Sequence, residues 1–391
     1  MASIVDTSVK HAYSSMAGAP AIGGTIGSLI GALDAFLVNG WGAKAVDSAV
    51  ISNGVCRLSF ASGKSAAEIH AVIAVAGASP AALNGEQRVT AVANGWVEFK
   101  TALPDGAVTG SISFKLAPLG WEKVFTASNK AVYRPVDPHG TRPFIRIDDS
   151  NATYARVQMF ESMTDVDTGL GAAPALLGGY YWHRIYSGNS ARYWLLMGDS
   201  RGFYFVNAPS DAAAINATTC AQYGMVSHYV GDINSHRSGD AWCGFLSGAS
   251  TSLGSSNQGC VFQDDSNAGM AVQRASTGIG ISQPTQRVVL GGGVSGRQGA
   301  YGSFPARANN GLFLSEIAIG DAGWSNGPRG VMPGAYHCLQ SGVVAALGGD
   351  IQFTDGQGVF LGKKMLSISI GDPGSTAQGL SFFDATGPWR S

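Results

Sequence analysis

Two Asn-Gly pairs, Asn53-Gly54 and Asn94-Gly95, each stand immediately before a short run rich in β-branched and aromatic residues. The runs are Val55-Cys56-Arg57-Leu58 and Trp96-Val97-Glu98-Phe99. Asn-Gly supplies the two positive-φ residues of a type I′ turn, the strongest short-range hairpin signal a sequence carries. Further runs at His70 to Val75, Gln87 to Val92 and Gly110 to Lys115 bring the region to a typical sheet's worth of strands. Residues 46–117 therefore read as a small β module, either Ig-like or a barrel.

From residue 118 to 391 the pattern continues at lower density. Strand-like runs recur at Phe144 to Ile147, Ala155 to Phe160, Ala191 to Met197, Phe203 to Val206, Arg287 to Leu290, Leu312 to Leu314 and Met365 to Ile370. Long Gly/Ser-rich stretches separate some of them, notably Ser247 to Gly259 and Gly291 to Gly311. Loops of that length in a compact domain are usually functional or assembly-related. No fixed-period repeat supports a propeller or solenoid, and no βαβ alternation supports a doubly wound sheet. With 55 glycines in 391 residues and only 13% charged residues, the chain suits turns and bulges more than helices or disorder. The expected fold is mainly β: a small β barrel or sandwich, a larger β-sandwich-like domain over 118–391, and a short N-terminal helix.

That helix lies in a docking segment, residues 1–45. Leu29, Leu33, Phe36 and Leu37 fall on one helical face, with Gly40 as the stop. A helix this short is not stable alone. Its face docks either on its own chain or on a partner subunit.

Several partners and compartments are disfavoured. Lys and Arg total 25 against 26 Asp and Glu, so no long-range field holds a nucleic acid. The apolar stretch Ala21 to Trp41 is broken by glycines and by Asp34, which argues against membrane insertion. The N-terminus lacks the basic and apolar regions of a secretory signal. Cys56, Cys220, Cys243, Cys260 and Cys338 are odd in number and scattered, so reduced thiols are expected. The chain reads as one made in a cytoplasm.

Four local motifs invite chemistry. Gly198-Asp199-Ser200 resembles the nucleophile block of GDS-type serine esterases, but it sits between two strands and no Asp precedes a C-terminal His by three residues. It reads as a hairpin loop. Asp167-Thr168-Gly169 is the triplet of aspartic proteases, whose chemistry needs two copies; one is present, inside a run that reads as an acidic turn. The same run lacks the pattern of a Ca²⁺ loop. His236, Asp240 and Cys243 lack the further ligand that zinc needs. Finally, Tyr181, Trp182 and His183, together with Trp242, are candidates for a surface aromatic patch or for a strand with alternating faces. No residue is assigned a catalytic, cofactor-binding or metal-ligating role, and no cofactor is expected.

The segments AFLVNGWG, LAPLGWEKVF, NKAVYR, TRPFIRIDDS, ARVQMFESMTDVDTG, YWLLMGDSRGFYF, PGAYHCL and FFDATGPWR occur in that order along the chain. As a set they resemble a recurrent class of structural proteins of tailed bacteriophages. The stretch from Gly77 to Ser111 is similar to β modules inserted in phage tail proteins. The resemblance implies a non-enzymatic virion component in the tail, at the baseplate or tail tip, made in the host cytoplasm. It also implies other tail proteins and further copies of the chain as partners; the helical face and the aromatic runs themselves offer Leu29, Leu33, Phe36, Leu37, Tyr181, Trp182, His183 and Trp242 as candidate interaction residues. The alternatives are a receptor-binding tail fibre protein that holds a host cell-surface glycan, and a capsid decoration protein.

Overall fold

A computed structural model describes residues 4–61, 63–209, 225–252, 261–262, 269–289, 302–321, 327–370 and 379–390. Cys220, Cys260, Trp324 and parts of both long Gly/Ser-rich stretches lie outside these residues. The architecture is mainly β, built on antiparallel sheets with a few short helical turns.

The first sheet, of eight strands, runs from Lys44–Ala45 to Ser113–Leu116. Both Asn-Gly pairs form two-residue hairpin loops, joining Ser48–Ser52 to Val55–Ser59 and Gly85–Ala93 to Trp96–Lys100. Asn53 (φ 51°) and Gly54 (φ 73°) adopt the paired positive dihedrals of a type I′ turn. At the second pair only Gly95 does so, with φ 84°. The same hairpin carries a bulge between Val89 and Ala91, which increases local strand twist.

A five-stranded meander follows: Glu122–Ala127, Lys130–Arg134, Phe144–Asp148, Tyr154–Phe160 and Tyr180–His183, each strand pairing with the next. The largest sheet has thirteen strands. It starts at Lys10–Tyr13, which pairs with Trp194–Gly198, and proceeds through Gly202–Asn207 and Val226–Asp232. It ends through Pro328–Cys338, Gly379–Asp384 and Lys364–Ile370 at Gln352–Asp355. The N-terminal segment is thus only partly helical, because its first ordered element is an edge strand of the large sheet.

The helix Ser28–Leu33 continues as a wider π-helical turn, Asp34–Asn39. The wider turn leaves carbonyls for the chain that follows: the Leu119 amide donates to Phe36 O, and the Gly120 and Trp121 amides donate to Leu37 O. Gly40 ends it at φ 66°, where a Cβ would lie 2.1 Å from Leu116 O. Leu29, Leu33, Phe36 and Leu37 are buried in their own chain's core. The alternative of docking on a partner subunit is therefore corrected for these four residues. Their apolar face is already covered.

One buried side chain ties the small sheet to both ends of the chain. Arg88 donates to the carbonyls of His70, Asp6, Val9, Ala385 and Thr386, at 2.7–3.3 Å. Five acceptors match the five N–H groups of a guanidinium, so the buried charge is fully solvated by backbone. The hydrophobic core runs unbroken from the small sheet into the large one.

Candidate functional site

The expected aromatic patch does not form on the surface. The strand Tyr180–His183 pairs with Tyr154–Phe160, and Trp182 is turned fully inward. Its ring stacks against Phe205 and His228, cross-strand neighbours, at 5.5 and 5.6 Å, and its indole N–H donates to Ser247 O at 2.7 Å. His183 is also buried, with its Nε2 3.2 Å from Ser252 O, and burial lowers its pKa. Tyr181 is half-buried under the Arg156 guanidinium, 3.9 Å from the ring centroid. Trp242 is half-buried under Arg274, at 4.1 Å. Trp182 and His183 are therefore corrected from surface candidates to core residues. The strand buries three of its four side chains, and a solvent-facing patch would need strict alternation.

The acidic turn at Thr164 to Gly169 is a structural one. Asp165 Oδ1 accepts from the Asp167 and Thr168 amides, while Asp167 pairs with Lys130 (2.9 Å) and Arg146 (2.6 Å). Cys56, Cys243 and Cys338 are buried free thiols, and burial pushes all three up in pKa. No group of three potential metal-ligating side chains occurs among the described residues.

Gly198-Asp199-Ser200 forms the hairpin the sequence suggests, between Trp194–Gly198 and Gly202–Asn207. Asp199 Oδ1 accepts from the Arg201 and Gly202 amides, both at 2.9 Å, which is an Asx turn. Ser200 Oγ donates to Asp137 Oδ2 at 2.6 Å, and Arg201 Nε donates to the same oxygen at 2.9 Å. The other Asp137 oxygen receives the His139 amide and faces His139 Nδ1 at 3.2 Å. Burial acts to raise the Asp137 pKa. The bonds from Ser200, Arg201 and His139 outweigh it and hold the carboxyl well below the usual range. The order Ser–Asp–His places a weakly basic carboxylate, not an imidazole, against the hydroxyl, so this set does not activate Ser200.

This hairpin forms one wall of an open polar cleft of about 920 Å³. Asp232 lies in its floor, buried. The Thr141 amide donates to Asp232 Oδ2 at 2.9 Å and the Thr141 hydroxyl to Oδ1. Burial raises the Asp232 pKa, while the Thr141 bonds and the nearby Arg390 and Arg201 oppose the rise. The C-terminal Trp389-Arg390 closes one end. Arg390 Nε donates to Asp199 Oδ2 at 2.6 Å, and its terminal nitrogens reach Asn234 Oδ1, Tyr229 Oη and Asp232 O. On the far wall, Asp240 accepts from Arg329 Nε (2.7 Å) and Nη2 (3.0 Å), and Arg329 Nη1 also pairs with Asp321 at 2.9 Å. All three of these side chains are 2% exposed.

A second, smaller cleft of about 240 Å³ adjoins the first across Arg237 and is lined by His236, Asp321 and Arg329 among others. Of the groups that shape the large cleft, Asp199, Ser200, Asp240 and Cys243 stood out in the sequence. Asp137, Asp232 and Arg390 come from three distant segments, and no local spacing announces them.

No family model matches this sequence, and comparison with curated proteins finds no match. Among the described residues, no helix is long and apolar enough to cross a membrane.

Proposed function

We propose that the protein is a non-enzymatic structural subunit of a tailed-phage virion, assembled in the tail near the baseplate or tip. The observation that carries the reading is the ordered set of segments resembling such proteins, together with where those segments fall in the fold. AFLVNGWG carries the π-helical turn and its Gly40 stop, TRPFIRIDDS carries the helix-capping Asp149, and YWLLMGDSRGFYF carries the Asp199 hairpin. FFDATGPWR carries the Trp389-Arg390 tail that reaches back to that hairpin. What the segments share is the framework that fixes the fold, as expected of a resemblance in architecture.

The surface supports the same reading. Leu177 is 91% exposed, and Val359 and Leu361 are 91% and 82% exposed on one hairpin tip. Paired apolar residues at loop tips suit a chain that buries them against neighbours in an assembly.

Immunogold labelling of purified particles tests the proposal. Label at the distal tail is the expected result. Label on the head would replace it with capsid decoration. Absence from intact particles, with the protein abundant in infected cells, would overturn any virion role.

A further inference from the structure

Unused donors outnumber unused acceptors along the wall of the large cleft. Arg201 uses Nε on Asp137, and its two terminal nitrogens meet no acceptor among the described residues. Arg237 is exposed, and among the described residues its guanidinium has no carboxylate partner. His139 turns Nδ1 to Asp137 and leaves Nε2 to the open side of a ring that is 79% exposed. The carboxylates are committed by contrast. Asp137 is held by Ser200 and Arg201, Asp199 by Arg390, Asp232 by Thr141, and Asp240 by Arg329 and Ser235.

The small cleft has the opposite character. Asp321 Oδ2 accepts from Arg329 and from the Ser276 amide, but Asp321 Oδ1 is buried with no hydrogen-bond partner among the described residues. An unmet buried acceptor is costly unless a donor reaches it. Arg237 lines both clefts, so they adjoin at its side chain, while Asp321 Oδ1 itself is closed off from solvent.

We propose that the large cleft is a binding site for an oxyanion, such as the acid group of an acidic sugar. The oxyanion lies against Arg201 and Arg237, the two guanidinium groups of the cleft with N–H donors left over. A neutral ligand leaves Arg237 uncompensated, and a cationic one meets two guanidinium groups. The volume lies within the range of small-molecule sites and has room for more than one sugar ring. Most wall groups are already fixed by a second residue, so binding orders little besides Arg237, which lowers its entropic cost. This inference goes beyond the virion reading and does not depend on where the protein sits in a particle.

Titration calorimetry on the full chain tests it with three probes: trigalacturonate, glycerol 3-phosphate and the neutral maltotriose. Saturable binding of either anionic probe, weakened by added salt and absent for maltotriose, is the expected result. The anion that binds distinguishes a carboxylate ligand from a phosphate ester. Arg237→Ala should weaken that binding about tenfold or more, the loss expected for a charge-assisted hydrogen bond. Because Arg237 is exposed, its thermal melting should stay that of the parent. Maltotriose binding as tightly as the anions, an Arg237→Ala variant with unchanged affinity, or no binding of either anion at about 1 mM would each overturn the proposal.

Discussion

His11 and Phe353 meet with ring centroids 5.4 Å apart, although they belong to the first and last strands of the largest sheet. The sheet curls until its two edges touch through side chains, without a backbone ladder between them among the described residues. His70 of the small sheet's region lays its ring edge on the same Phe353 at 5.0 Å. The seam is therefore shared by both large structural parts, and Arg88 clamps the backbone beside it. Sheet edges are a liability when left open, and here aromatic rings cover part of them.

The seam should be acid-labile. Burial, then the nearby Arg88 and His70, push the His11 pKa down to about 3. Burial, Lys364 and Arg88 lower that of His70 to about 4, with Asp355 opposing. An unfolded His takes its proton near pH 6.5. The folded state resists protonation until well below that, so stability is complete above pH 6.5 and falls as pH drops towards 4 and then 3. The slope is about 1.4 kcal/mol per pH unit for each fully shifted group. Urea unfolding at about pH 7.5 and about pH 5 measures it. His11→Phe, which removes two unpartnered buried nitrogens, should shrink the difference between the two conditions. An unchanged pH dependence in that variant would remove His11 from the explanation.

Trp182→Ala should act on stability. The ring is fully buried against Phe205 and His228, so truncation leaves a cavity and removes the donor to the Ser247 carbonyl. A loss of about 3–5 kcal/mol is expected. Trp242, half-buried at the surface, should cost clearly less on the same change. Thermal melts of the two variants make the comparison, and equal losses would contradict the burial difference.

Local signals were legible in the sequence and long-range ones were not. Asn53-Gly54, the Gly40 stop and the apolar face of Leu29, Leu33, Phe36 and Leu37 each act within one turn or hairpin, where dihedral preference decides the outcome. The residue that covers that face could not be read, because it depends on which distant strands pack there. Trp182 shows the same limit: a run of aromatic residues gives a strand, while burial on both faces is decided by neighbouring sheets. The cleft was least legible. Arg390 reaches Asp199 across 191 positions, and such a pairing leaves no periodic trace.

Asp149 joins the N-terminal helix to the meander. Its Oδ2 accepts from the Leu29 amide at 2.9 Å and lies 3.4 Å from the Ile30 amide. That supplies the cap that Gly27 cannot. Its Oδ1 pairs with Arg184 Nε at 2.7 Å, with both side chains 0% exposed. Asp149→Asn keeps the shape but leaves a buried guanidinium uncompensated, at a cost of about 3–5 kcal/mol. A double-mutant cycle with Arg184→Met should be strongly non-additive, the double variant losing less than the sum of the singles. Additive losses would show that the two residues act independently.

Gly334 should be intolerant of even one methyl group. It holds φ 61°, and a Cβ there would stand 2.0 Å from Trp389 Nε1. The indole N–H now donates to Asp384 O at 2.7 Å, and the next residue, Arg390, fills the socket formed by Asp199, Asn234 and Tyr229. Gly334→Ala should therefore displace Trp389, withdraw Arg390 and open one end of the cleft. A loss of at least about 3 kcal/mol is expected, combining backbone strain with lost aromatic burial. Tryptophan emission should shift to the red relative to the parent. Parent-like emission and melting would mean that the tail is not seated against Gly334, and the cleft would then lack the wall assigned to it.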